Sequence, residues 1–277
     1  MLHSTKELEK YSIVATDGAI GDIKDFYFDD EAWAVRYLVV DTGAWLPGRK
    51  VLISPFSIAH WDHAARAFPV SVSKEQIKHS PSIDTQKPVS RQHEIRYLGY
   101  YGYPYYWGGS GVWGQCAYPG MMRTGSAYGM SDAVYRRVRA SNERIAAEAE
   151  EQRERQDEDP HLRSCNAVRQ YRVHSTDGDI GHVDGFLIDE RSWAIRYLIV
   201  NTSNWWVGHE VLVAPDRIGE VSWSYAKVTV GLSRQEIKDA PTYDSDLPPD
   251  LGAEPGVYTN NGYHGHQQAK GERANAP

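Results

Sequence analysis

Eleven histidines are the first candidates for chemistry in this 277-residue chain, because imidazole binds metals and moves protons near neutral pH. Their spacing offers little. His60-x-x-His63 lacks the i, i+4 helical spacing of a zinc protease, and His264-Gly-His266 lies in a polar tail. Acids gather after Asp17-Gly18 (Asp22, Asp25, Asp29 and Asp30), but a calcium loop needs oxygen ligands at fixed alternate positions with a bidentate acid at its end. Arg36 and Arg196 each interrupt an apolar run. A charge there needs a partner, and Asp29 and Asp189 are the nearby acids, although a docking point for an acidic ligand is the competing role. No serine, cysteine or threonine stands in a nucleophile motif, and no glycine-rich phosphate loop occurs. These residues predict no enzyme, no cofactor and no metal centre.

Aromatic residues offer binding instead. Trp45, Trp205 and Trp206 fall in loops beside Gly48 and Gly208, where tryptophan either caps the end of a barrel or anchors an interface. Between residues 97 and 113, eight of 17 residues are aromatic and five are glycine, and no charge occurs from Tyr97 through Met122. Tyr103, Tyr105, Tyr106 and Trp107 are the candidate contacts of this stretch. Nucleic-acid stacking platforms need basic residues alongside their rings, so self-association or docking onto a folded unit is the expected use.

The elements that must position these residues occur twice. Residues 11–84 and 171–244 align without a gap at an offset of 160, with 27 of 74 positions identical. The repeat is also a filter: a residue present in both copies is expected to serve the fold, and one present in a single copy is freer to do something else. Asp17, Gly18, Gly21, Trp33, Arg36 and Tyr37 recur as Asp177, Gly178, Gly181, Trp193, Arg196 and Tyr197, and all are expected to be structural. No histidine inside the repeats recurs.

Each copy reads as short strands. Asp17-Gly18 and Asp177-Gly178 are hairpin dipeptides, and Gly21 and Gly181 mark bulges. Residues 33–42 and 193–202 are apolar on both faces, as a central or covered strand is. Ser73 with Gln76 and Ser233 with Glu236 spell capping boxes for a short closing helix, stopped by Pro81 and Pro241. The expected fold is mainly β: two small barrels in tandem, each closed by a short helix. The plan is residues 1–10 as an N-terminal tail, 11–84 and 171–244 as barrels, and 85–130 as a connector rich in glycine and aromatics. A solvated spacer helix occupies 131–159, and 245–277 is a disordered tail.

The motifs TDGxIG, WAxRYLxV, VLxxP and SxxxIKxxP, present in both copies, resemble the PRC-barrel family. That family includes the cytoplasmic barrel of the photosynthetic reaction-centre H subunit and the C-terminal domain of a ribosome maturation factor. The resemblance covers about half of the chain. It implies a β-barrel adaptor that docks onto proteins without a shared active site, and allows peripheral association with a photosynthetic or electron-transfer membrane complex. Two other functions compete. One is a small-molecule or metal sensor between the barrels, lined by His60, His63, His182 and His209. The other is a ribosome or RNA-processing assembly factor.

Bulk properties bound these options. The net charge is −7, and each repeat carries more acids than bases, ten against seven and eleven against seven. Neither unit has the basic field that nucleic acid requires, so protein partners are expected, with the two barrels packed on each other. The two cysteines, Cys116 and Cys165, lie outside the aligned repeats, which predicts a reducing compartment. No apolar run resembles a signal peptide or a membrane span, so a cytoplasmic protein is expected.

Overall fold

The computed structural model describes residues 1–81, 89, 91–107, 111–114, 116–120, 162–202, 209–222 and 224–245. The spacer helix expected over 131–159, the tail from residue 246 onward, and Trp205 and Trp206 lie outside them.

The fold is mainly β, with two sheets built on the same plan. In the first copy, β1 (Leu2–Ser4) and α1 (Thr5–Leu8) are followed by β2 (Ser12–Ala15), β3 (Gly18–Asp29), β4 (Ala34–Asp41), β5 (Lys50–Ile53), β6 (Ala67–Pro69) and α2 (Lys74–His79). Helix α3 (Arg91–Tyr101) begins the connector. The second copy contains β7 (Leu162–Ser164), α4 (Cys165–Val168), β8 (Arg172–Ser175), β9 (Gly178–Asp189), β10 (Ile195–Asn201), β11 (Glu210–Val213), β12 (Ile218–Ser222), β13 (Lys227–Val230) and α5 (Arg234–Lys238). One sheet runs β5-β4-β3-β2-β6 and the other β11-β10-β9-β8-β13-β12.

Local chemistry explains why both copies turn alike. Gly21 and Gly181 have positive φ, and a Cβ there would meet the carbonyl oxygen of Asp41 at 1.8 Å or of Asn201 at 1.9 Å. Only glycine lets β3 and β9 pass so close, and the pairing register shifts beside each. Asp17 and Asp177 do more than turn the chain: each carboxylate accepts the first amide of the closing helix, Lys74 N or Arg234 N, at 2.8 Å. Both capping boxes form as the sequence predicts.

The N-terminal ten residues are not a tail. β1 leaves its own copy and pairs antiparallel with β9, with His3 opposite Ile188, while β7 reciprocates by pairing with β3. Lys6 meets Asp184 at 2.5 Å, and Ser164 Oγ donates to Asp25 at 2.5 Å. The repeat therefore begins at Leu2 and Leu162, and each copy lends its first strand to the other. Sequence identity thins out over these arms, which is why the alignment that starts at Tyr11 missed them.

A pseudo-two-fold axis relates the copies. Ala34 bridges its own equivalent, Ala194, with Val35 N donating to Trp193 O at 2.9 Å and Ile195 N to Trp33 O at 2.7 Å. Glu9 likewise pairs with its equivalent Arg169 at 2.6 Å. Identical copies would set two glutamates or two arginines face to face there, so the opposite charges favour one copy of each kind. The axis also carries an aromatic seam, with Phe28 on Phe186 at 5.3 Å and Trp61 on Trp193 at 4.9 Å. One apolar core runs through both copies. The two copies are packed on each other, as expected from the sequence. Trp193 is buried and Trp33 only half-buried, and both have positive φ outside the strands, Trp33 in a turn and Trp193 just ahead of β10.

Candidate interaction surface

The connector packs against β4 as part of the same apolar core, with the Tyr97 ring edge-on to Tyr37 at 5.2 Å. Helix α3 places Glu94, Tyr97, Leu98 and Tyr101 on one stripe, the i, i+3, i+4, i+7 spacing of an amphipathic helix. Tyr97 takes an amide hydrogen from Ser54 and donates to Leu52 O at 3.0 Å, closing the strand edge beside it. This helix was not expected from the sequence, because the glycine-rich run that begins at Gly99 masks the stripe.

Beneath it lies a buried polar network. Arg36 pairs with Asp29 at 3.0 Å and donates to Val112 O at 2.6 Å, with its guanidinium 3.9 Å from the Tyr106 ring centre and 4.8 Å from that of Trp113. Asp29 also accepts the amides of Glu31 and Ala32 at 3.0 Å each. Glu94 receives hydrogen bonds from Tyr37 and Tyr106 and an ion pair from Arg91 at 3.0 Å. Burial pushes the Glu94 carboxyl above its usual range, with Arg91 pulling the other way. Burial likewise holds the Tyr37 and Tyr106 hydroxyls well above theirs.

The expected Arg36–Asp29 pair is thus present, but the expected second pair is not. Arg196 is exposed, and Asp189 instead accepts from Ser192 N at 2.8 Å and Ser192 Oγ at 2.6 Å. The covering strap encloses Arg36 through Val112, Tyr106 and Trp113 of the connector, whereas Arg196 is exposed.

The candidate aromatics divide. Tyr106 is buried within the network and is not available to a partner. Tyr103, Tyr105 and Trp107 are half-buried along the outer side, where Tyr101 stacks on Tyr103 at 5.3 Å and Tyr105 on Trp107 at 4.7 Å. Tyr100 is exposed beside them. Trp113 crosses to the second copy, its indole donating to Ser192 O at 2.6 Å. Trp45 is also half-buried, its indole donating to Ile20 O at 2.5 Å with the Lys74 ammonium 5.3 Å from its ring. It packs against the apolar core from its loop position. Thr42, present in both copies, anchors that loop, its hydroxyl lying 2.7 Å from the carbonyl oxygens of Leu46 and Arg49 and donating its one proton to either.

The four histidines proposed to line a site between the copies do not assemble. His60 is exposed, His182 lies in β9 opposite Asn201, and His209 contacts Thr242 at 3.2 Å. Only His63 stands at the junction, beside His3 and Glu190, two residues that the repeat alignment and its histidine pattern passed over.

Among the described residues, no helix is long and apolar enough to cross a membrane. Comparison with protein families matches residues 3–76 to the PRC-barrel domain, a span that includes most of the exchanged arm. No curated protein matches the chain.

Proposed function

Residues 3–76 belong to the PRC-barrel domain family, and on that premise we propose that the chain is a non-enzymatic adaptor whose protein-docking surface is the outer side of the aromatic strap. A PRC-barrel is an interaction module in general. The observation that carries the finer reading is the row of stacked, half-buried rings at Tyr101, Tyr103, Tyr105 and Trp107, with exposed Tyr100 next to it. Their inner faces are fixed on a rigid sheet through Tyr97 and Tyr106, so little side-chain entropy is left to lose on binding. Preorganised tyrosine and tryptophan are the residues that most often dominate interface energies. The excess of acids over bases in both copies disfavours nucleic acid as the partner.

The test is affinity capture with the full chain beside a Tyr105→Ala/Trp107→Ala variant. Deleting the whole strap would remove Tyr97, Tyr106 and Trp113 from the core, so point changes are needed. The variant should keep its cooperative unfolding and lose its partner by about 30-fold in affinity, the effect of truncating one hot spot. Equal retention of the same partner by both proteins would count against this surface.

A further inference from the structure

We propose that His3, His63 and Glu190 form a binding site for a divalent transition-metal ion of the zinc class at the junction between the two copies. The three residues come from the exchanged strand β1, from the loop before β6, and from the turn between β9 and β10. His63 Nε2 lies 3.3 Å from Glu190 Oε1, and His3 Nε2 lies 3.6 Å from Glu190 Oε2. All three ligand atoms fall within 4.8 Å of one another. Tetrahedral zinc with bonds of about 2.0–2.1 Å places neighbouring ligand atoms about 3.4 Å apart, so the His63–Glu190 edge already has that length and the others need only a small side-chain adjustment to close from within 4.8 Å.

What surrounds the ligands fits the same role. His3 Nδ1 faces the Glu7 carboxylate at 3.4 Å, and His63 Nδ1 faces the Tyr11 hydroxyl at 3.1 Å. Outer partners at Nδ1 turn each Nε2 toward a shared centre, as they do for metal-bound imidazoles. His3 Nε2 is buried with no hydrogen-bond partner, an arrangement that needs an electrophile or a donor to satisfy it. The rings of His3 and His63 stack at 5.0 Å, and Trp61 lies 5.0 Å from His3. His63 is 44% exposed, which leaves an entry path and room for a water as fourth ligand.

The pseudo-symmetry supplies a comparison inside the molecule. At the other junction, the equivalents of His3 and Glu190 are Arg163 and Asp30, which meet at 2.5 Å as an ordinary ion pair. There the positive charge facing the carboxylate is a guanidinium. At the first junction the position is taken by two imidazoles, and a metal ion would supply the charge. Trp223 stands at the position of His63 and Ala167 at that of Glu7, so the second copy has neither the second ligand nor its outer carboxylate. Two nitrogens and one carboxylate oxygen suit zinc, cobalt, nickel or copper(II) rather than calcium or magnesium. The ion would clamp the exchanged strand to both copies, and the site does not depend on the docking role of the aromatic strap.

Calorimetric titration of the full-length, chelator-stripped protein with zinc tests this, with cobalt(II) absorption reporting the coordination. One equivalent is expected to bind with micromolar or tighter affinity and to raise the unfolding temperature. His63→Ala and the isosteric Glu190→Gln should each weaken binding by more than about 10-fold, and Glu7→Gln by about 10-fold through the loss of an outer partner. Because Glu190→Gln preserves shape, it keeps the test valid if a histidine change disturbs folding. His264→Ala/His266→Ala, which removes the tail pair, should leave the equivalent in place. Absence of tight zinc binding would overturn the proposal, as would binding that survives both ligand changes or vanishes with the tail pair.

Discussion

Arg36 and Arg196 occupy the same position of the same strand, yet one is buried and ion-paired and the other is exposed. Their difference gives a measurement with its own control. Arg36→Met removes one partner from a buried pair and leaves the Asp29 carboxylate without its counter-charge, which costs about 3–5 kcal/mol. Arg196→Met should stay within about 0.5 kcal/mol of the parent, as surface substitutions do. Urea unfolding midpoints of the two variants check both values, and equal losses would mean that burial is not what distinguishes them. The pairing of Arg36 with Asp29 was legible in the sequence, because a charge in an apolar strand must be matched nearby. Its asymmetry was not, since the atoms that bury Arg36 (Val112, Tyr106 and Trp113) come from a segment that only one copy is known to place there.

At the scale of elements, α3 is the piece whose attachment should respond to pH. Glu94 lies on its inner stripe with its folded-state pKa raised above the ordinary 4.5 by burial, so the folded protein holds that proton more tightly than the unfolded chain does. The stability it contributes is complete below the unfolded value and is lost as pH rises through the folded one. Replacing it, Glu94→Gln, should remove this dependence. Across that window the stability difference between variant and parent should shift in favour of the variant, by at most about 1.4 kcal/mol per pH unit. Denaturation midpoints of both proteins at several pH values read the difference, and parallel curves would show that Glu94 does not titrate there. The capping boxes of α2 and α5 and the Asp17 and Asp177 turns were readable because their partners lie within a few residues or at a fixed strand–helix junction. Helix α3 was not read, although its stripe was present, because a run of glycine and tyrosine conceals helical periodicity.

For the whole molecule, the exchange of first strands and the main core that both copies share mean that neither half should fold alone. A fragment ending at residue 120 would present β3 without β7, and one beginning at residue 162 would present β9 without β1, each with half of the aromatic seam exposed. Separately, the two fragments should lack cooperative unfolding; mixed, they should recover it as a one-to-one complex. Scanning calorimetry with light scattering decides this, and a sharp transition in either fragment alone would refute the joint core. The two-copy plan, the mainly β character, the turn glycines and the closing helices were determined by the sequence alone, because they follow from periodicity and from contacts between near neighbours. The tertiary structure decided the rest: which strand joins which sheet, which of two equivalent arginines is buried, and that His63 meets Glu190 from 127 residues away. Those outcomes rest on surfaces that exist only after the copies have packed, so no local spacing in the chain could encode them.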